Sequence, residues 1–308
     1  MVSCAQRSCN SKDGVDKKKL TGITFHRHII CGVFVTEWVY ILTSQSSRNY
    51  NLQLLGELMD KYKFSPSRIY NCDETGISTV PSKPSKILSL KGKKQVGVLS
   101  SAERGTLVTA EICFKAIGSY IPPLLICPRV RRNPLFEVGL PPESIVEYHS
   151  SGWMQSSIFA PTWFNHFLKY AKSSADDSVL LILDGHATHT KNLTVVEMAR
   201  ETTSCFATSH RLQPLDVNFM FPLNSYYEQE VKNWLRSHPG QVITVHDIGG
   251  FFGAAFQRAA TPENVVSGFK NIGICPCNPN IFPEELFRPA DTTDQALLDE
   301  DQSNRKES

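Results

Sequence analysis

No part of this 308-residue chain runs to the roughly eighteen consecutive apolar residues that a bilayer-spanning helix needs. The most apolar candidate, Ile29 to Leu42, is interrupted by Thr36-Glu37 and reads as buried chain, so no membrane partner is expected. The first residues, Ser3, Gln6, Arg7 and Ser8 among them, are polar where a secretory signal would carry an apolar core. Charge of one sign is also lacking. The 32 Lys and Arg stand against 30 Asp and Glu, a formal +2, so any nucleic-acid binding has to come from local clusters and not from bulk electrostatics. There is no internal repeat and no low-complexity tract, which removes solenoids and propellers. A paired-cysteine framework is missing as well. The nine cysteines are odd in number and lie in apolar segments such as Ile112-Cys113-Phe114 and Leu125-Ile126-Cys127, as expected of reduced thiols in a cytosolic or nuclear protein.

What is present is an ordinary globular composition, 41% hydrophobic with 10% aromatic, enough to build one substantial core. Three regions differ in character: residues 1–44, bearing Cys and Lys; a long mixed body, 45–288; and a polar tail, 289–308, whose Asp, Thr, Gln, Ser and Glu content predicts disorder. The body opens with Leu52, Leu54, Leu55, Leu58, Met59 and Tyr62 on one helical face, stopped before Pro66. Arg68 to Asp73 then reads as a short apolar strand ending on a carboxylate, with Gly76 as a turn residue. Further strands are predicted at Gln95 to Leu99, Thr106 to Ala116 and Tyr120 to Cys127, the last two pairing across Ile117-Gly118-Ser119. Val179-Leu180-Leu181-Ile182-Leu183 is too short for a membrane and has the make-up of a central strand covered on both faces. Helical patterns occupy Thr162 to Ala171, Lys191 to Glu201, Pro222 to Leu235, Asp247 to Ala260 and Pro262 to Lys270. Strands first, then strands alternating with helices, predict an α/β fold with a mixed sheet flanked by helices.

Three carboxylates stand where an apolar element meets a turn: Asp73 after Ile-Tyr-Asn-Cys, Asp184 after Val-Leu-Leu-Ile-Leu, and Asp216 in Leu212-Gln213-Pro214-Leu215-Asp216. Carboxylates at strand ends can converge on one sheet edge, where hard divalent ions take oxygen ligands and keep positions open for water and phosphate. Asp at any one such position is equally suited to an Asx turn or a helix cap, so the spacing alone leaves both readings open. Glu74 points away from the same ligand if its strand continues, and is read as supporting or structural. His186 and His189 follow Asp184 within one turn, placed either to meet phosphate or to cap the next helix; zinc there lacks a third partner. Basic clusters at Lys93-Lys94 and Arg131-Arg132 are the candidates for phosphate contact, with solvated surface as the plainer alternative for each.

Tyr70-Asn71-Cys72-Asp73-Glu74-Thr75-Gly76-Ile77, Leu181-Ile182-Leu183-Asp184-Gly185-His186 and Ser209-His210-Arg211-Leu212-Gln213-Pro214-Leu215-Asp216-Val217 together resemble the DDE superfamily of pogo, Tigger and jerky-like transposases. Ser101 to Leu107, Ser151-Gly152-Trp153-Met154 and Gly268 to Ile274 are similar to it too, so that the resemblance covers about Leu52 to Arg288. It implies an RNase H-like fold in which Asp73, Asp184 and Asp216 are the catalytic residues. As metal ligands they would bind Mg²⁺ or Mn²⁺ for cutting and joining DNA phosphodiesters. DNA-binding roles fall to Lys93, Lys94, Arg131, Arg132 and His186. DNA is the implied partner and the nucleus the implied location, with a second copy of the chain or a chromatin protein left open as further partners.

Residues 1–44 resemble the opening of a THAP zinc finger, with Cys4 and Cys9 as zinc ligands, but the closing Cys-x-x-His pair is missing: three positions after Cys31 stands Phe34. Two ligands do not close a tetrahedral site, so no structural zinc is expected unless His26, His28 or Cys31 completes it. The sequence therefore leaves two classes of function open, a DNA-cutting transposase domain and a domesticated relative that binds DNA or chromatin proteins without cutting. One local departure bears on that choice. Thr202 to Thr208 stands where the family has an apolar strand and a Pro-Pro turn, so the ladder that would hold Asp216 still is expected to be lost.

Overall fold

A computed structural model of the chain describes residues 38–39, 48–80, 105–174, 177–184, 186–190, 192–202, 204–208, 213–278 and 280–281. In chain order the elements are β1 (Trp38–Val39), α1 (Arg48–Tyr62), β2 (Ile69–Ser78), β3 (Leu107–Lys115), β4 (Tyr120–Cys127), β5 (Ile145–Tyr148) and α2 (Ser156–Ile158). A π-helical stretch, Phe159–Phe164, then leads into α3 (Asn165–Ala171), β6 (Val179–Leu183), α4 (Ala187–Thr190), α5 (Leu193–Glu201) and β7 (Ser204–Thr208). The chain closes with α6 (Pro214–Asn218), α7 (Met220–Ser237), α8 (Ile248–Ala259) and α9 (Pro262–Asn271).

The strands form one mixed sheet of order β1-β7-β6-β2-β3-β4-β5. β2, β3 and β4 make an antiparallel meander. On one side β6 runs parallel to β2, β7 to β6 and β1 to β7, and on the other β5 runs parallel to β4. A meander continued by parallel strands, with helices on both faces, is the expected RNase H-like arrangement. The β3–β4 turn needs its glycine twice over: Gly118 has φ +92°, and a Cβ there would come 2.6 Å from the Cα of Pro262.

Period-two alternation divides the strands between two cores. Ile69, Ile77, Ile112, Phe114, Leu180 and Ile182 face one way, onto Leu55 and Leu58 of α1, Leu223 of α7, Phe252 and Phe256 of α8 and Phe269 of α9. Tyr70, Cys72, Cys113, Leu181 and Leu183 face the other way, onto Phe159, Trp163 and Phe167 and onto Val195 and Ala199 of α5. All five residues of β6 are buried, as a strand sandwiched between two helical layers must be. Asn192 caps α5, its Oδ1 accepting from the Val195 N–H at 3.4 Å.

Two expectations are corrected. Gly76 is not a turn residue: β2 continues through Ser78, with Gly76 opposite Thr109 of β3, because β3 offers a partner for every residue from Tyr70 to Ser78. The strand expected to be lost before Asp216 is also present. Ser204–Thr208 pairs residue for residue with Val179–Leu183, and Phe206 and Ala207 pair with Trp38 and Val39 on the far side. Low local strand propensity is overridden by neighbours that complete the ladder. The predicted strand at Gln95 to Leu99, the finger-like head and the polar tail lie outside the described residues.

Candidate active site

β2 and β6 lie side by side, with Asn71 paired to Ile182 as the last rung. Two residues further along each strand come Asp73 and Asp184, so parallel pairing alone sends both carboxylates to the same sheet edge. Both are half-buried. Asp216 sits in the first turn of α6, exposed, at the helix end that favours negative charge.

Asn71 ties the third aspartate to the first. Its side chain is fully buried; Nδ2 donates to the Ile182 carbonyl at 3.0 Å and to Gln213 Oε1 at 2.5 Å. Its Oδ1 accepts from the Leu215 backbone N–H at 3.1 Å. The start of α6 is thereby bonded to the strand that carries Asp73, and Asp216 is not loosely held. Gly268 of α9 helps, since a Cβ there would come 2.5 Å from the Pro214 carbonyl oxygen, so the two helices touch backbone to backbone.

Burial, then the nearby Asp216 carboxylate, and to a lesser degree Asp184, push the Asp73 carboxyl up to about 8, against the pull of the Glu74 N–H that its Oδ1 accepts at 2.9 Å. Asp73 lies close enough to Asp216 to share a hydrogen bond with it. Asp184 behaves differently. Burial works to raise it, but the His189 ring together with the His186 N–H and ring holds its carboxyl below the ordinary value. Its Oδ1 accepts from His189 Nδ1 at 2.7 Å and from the His186 N–H at 3.1 Å.

His189 reaches through to the other face of the sheet. Because β2 continues, Glu74 points opposite to Asp73, and it pairs directly with Glu111 of β3. Glu111 is completely buried and bonded to the Cys72 thiol. His189 Nε2 stands 3.4 Å from Glu74 Oε1, and its ring packs on Phe159 of the π-helical stretch with centroids 4.2 Å apart. Burial works against a charged imidazole, yet the carboxylates of Asp184, Glu74 and Glu111 raise the ring to about 10.

The remaining sequence candidates fall as follows. His186 is exposed, with Nδ1 2.8 Å from Thr188 Oγ1. Arg131 and Arg132 are exposed beyond the end of β4, a strand that runs in the same direction as β2 and β6 and so ends at the same sheet edge. Arg132 already pairs with Glu137 at 2.8 Å. Lys93, Lys94, Cys4 and Cys9 lie outside the described residues. Asn71, Gln213 and Glu111 were not singled out by the sequence. For Glu111 a signal existed: a lone carboxylate inside the apolar run Val108 to Phe114 has to face something polar.

The description "DDE superfamily endonuclease" matches residues 107–269, a stretch that takes in Asp184 and Asp216 and begins after β2. Among curated proteins, the MFS-type transporter clz9 of Cochliobolus lunatus is 28% identical over 235 residues, which is 73% of this chain and 25% of that protein. The chain thus spans about a quarter of that relative's length, and among the described residues no helix is long and apolar enough to cross a membrane. Among solved structures, the Mos1 strand transfer complex is similar at a TM-score of 0.45 with 14% identity, covering 89% of this chain and 68% of that one. The mariner Mos1 paired-end complex with Mg gives a TM-score of 0.40 with 15% identity, covering 82% and 67%. With the family match extending over more than half of its length, this chain belongs to the DDE superfamily endonuclease family.

Proposed function

We propose that the chain carries the catalytic domain of a transposase-type DNA endonuclease of the pogo, Tigger and jerky-like kind, which cuts and joins DNA strands with Mg²⁺ or Mn²⁺ held by Asp73, Asp184 and Asp216. The observation that carries the reading is the convergence of three carboxylates from β2, β6 and α6 on one half-open edge. The donor set fits a hard divalent ion: every ligand is a carboxylate oxygen, and burial with the nearby Asp216 and Asp184 carboxylates raises Asp73 to about 8. When bound, such ions polarise a phosphoryl oxygen and make water or a 3′-hydroxyl a stronger nucleophile.

The chain's own residues supply position. Asp73 stands on a strand paired along both edges, Asp184 is turned by His189 and the His186 N–H, and Asp216 is fixed through Gln213, Leu215 and Asn71. Fixing matters because misplacement by about 1 Å in a catalytic constellation costs on the order of a hundredfold in rate. Phosphates of the DNA partner would meet Arg131 at the same sheet edge, with Lys93 and Lys94 as further candidates, and the nucleus is the proposed location. The test is nicking of supercoiled plasmid by the full chain with Mg²⁺ or Mn²⁺. Metal-dependent nicking that Asp216→Asn removes supports the reading. A chain that binds the plasmid but leaves it supercoiled under both metals overturns it in favour of a binding-only relative.

A further inference from the structure

Behind the three aspartates, on the opposite face of the sheet, lies a second group of metal-ligating side chains. A carboxylate oxygen of Glu74, a carboxylate oxygen of Glu111 and a ring nitrogen of His189 all lie within 4.8 Å of one another. Glu74 and Glu111 are direct cross-strand partners, an arrangement that two ionised carboxylates destabilise and that the His189 ring beside them offsets in part. Glu111 is fully buried and His189 is 2% exposed, yet Glu111 Oε2 and His189 Nε2 have no hydrogen-bond partner. Buried polar atoms are rarely left so, and when they are, a missing ligand is one of the standard reasons.

We propose that Glu74, Glu111 and His189 Nε2 form a binding site for a divalent transition-metal ion such as Zn²⁺, separate from the aspartate site. One imidazole nitrogen with two carboxylate oxygens suits Zn²⁺ better than Mg²⁺, which takes oxygen. The 3.4 Å between His189 Nε2 and Glu74 Oε1 is long for a hydrogen bond but matches the edge of a tetrahedron whose metal–ligand bonds are about 2.0–2.1 Å. The other ring nitrogen is already oriented as a metal-bound histidine requires, with Nδ1 2.7 Å from Asp184 Oδ1. Phe159, packed on the ring at a tilt of 39°, holds that orientation. An ion here would neutralise the Glu74–Glu111 pair and, through one imidazole, brace Asp184 from behind.

The inference is independent of the proposed DNA cleavage, and the test uses metal binding alone. In the full chain carrying Asp73→Asn and Asp216→Asn, stripped with a chelator and held in excess Mg²⁺, Zn²⁺ uptake is measured by calorimetry. The same background is then given Glu111→Gln or Glu74→Gln, which leave every cysteine in place. The expected result is the loss of one equivalent of Zn²⁺, or a weakening of that equivalent by about a hundredfold, in each variant. Circular dichroism reports whether Glu111→Gln still folds; if it does not, Glu74→Gln, at a half-buried position, decides alone. Equal stoichiometry and affinity with and without either glutamate, or no Zn²⁺ bound by the background, overturns the site.

Discussion

Asp73 and Glu74 are adjacent in the chain and belong to two different electrostatic settings. On the face of Asp73 the neighbouring charges are carboxylates, the edge is half-open, and no basic side chain is bonded to Asp73 or Asp216 among the described residues. On the face of Glu74 the surroundings are closed and aromatic, and an imidazole stands between the acids. The difference teaches that one strand can leave a cluster of carboxylates on one face short of positive charge while anchoring, a few ångströms away on its other face, a cluster that has an imidazole built in. His189 reaches both settings, with Nδ1 2.7 Å from Asp184 Oδ1 and Nε2 3.4 Å from Glu74 Oε1.

The comparison breaks most severely if the open face loses an acid. Asp216→Asn is expected to lower Mg²⁺-dependent plasmid nicking by about a thousandfold, several kcal/mol of barrier, while leaving the melting temperature close to that of the native chain. Nicking within a few-fold of native would remove Asp216 from the chemistry. Next in size is the clamp. Asn71→Ala leaves the Leu215 N–H without its acceptor and removes one bond to Gln213, so unfolding in urea should show a loss of about 1–3 kcal/mol and nicking should fall by about a hundredfold. A variant that loses stability but keeps full activity would show that α6 needs no such tie.

A smaller effect separates the two faces by pH. Asp73 is raised from 3.8 to about 8, so in the metal-free chain the stability it contributes is fully present below 3.8 and is lost as pH rises through about 8. His189 is raised from 6.5 to about 10, so its contribution is fully present below 6.5 and is lost through about 10. Melting temperatures measured across both windows should therefore fall in two stages. Asp73→Asn should flatten the lower stage alone; a lower stage that persists in that variant assigns it elsewhere. The smallest effect concerns the rim. Replacing Arg131 and Arg132 by Gln should reduce the slope of log affinity for DNA against log salt by about one, because Arg132 is partly spent on Glu137. An unchanged slope takes both off the DNA path.

Much of this was legible because long periodic segments announce themselves. Val179–Leu183 reads as a central strand, and the helical spacing of Leu223, Tyr227, Val231 and Trp234 within Pro222 to Leu235 marks one side of α7, buried at the first three and half-buried at Trp234. The aspartates were legible through the motifs around them. What stayed hidden depends on contacts distant in sequence. Ser204–Thr208 forms a strand since β6 and β1 flank it, and nothing in Ser-Cys-Phe-Ala-Thr itself says so. Asn71 looks like one more strand residue until Gln213 and Leu215, more than 140 positions later, come to bond it. The grouping of His189 with Glu74 and Glu111, without His186, stayed hidden because those glutamates lie on strands far upstream.

The unbroken run of β2 also bears on how a gene for this fold can change length. Nine consecutive residues of β2, Tyr70 to Ser78, pair with β3, so adding or deleting a single codon ahead of Asp73 would shift the register and exchange the faces seen by Asp73 and Glu74. Both clusters would be lost in one event that leaves every side chain encoded. The connection between β4 and β5 packs Phe136 and Gly139 against the core and α8, but its exposed start, Arg129 to Arg132, is under no such constraint. Insertions and deletions should therefore accumulate there and be purged from β2, leaving a fixed-length strand beside a length-variable loop as the imprint of the two-faced site.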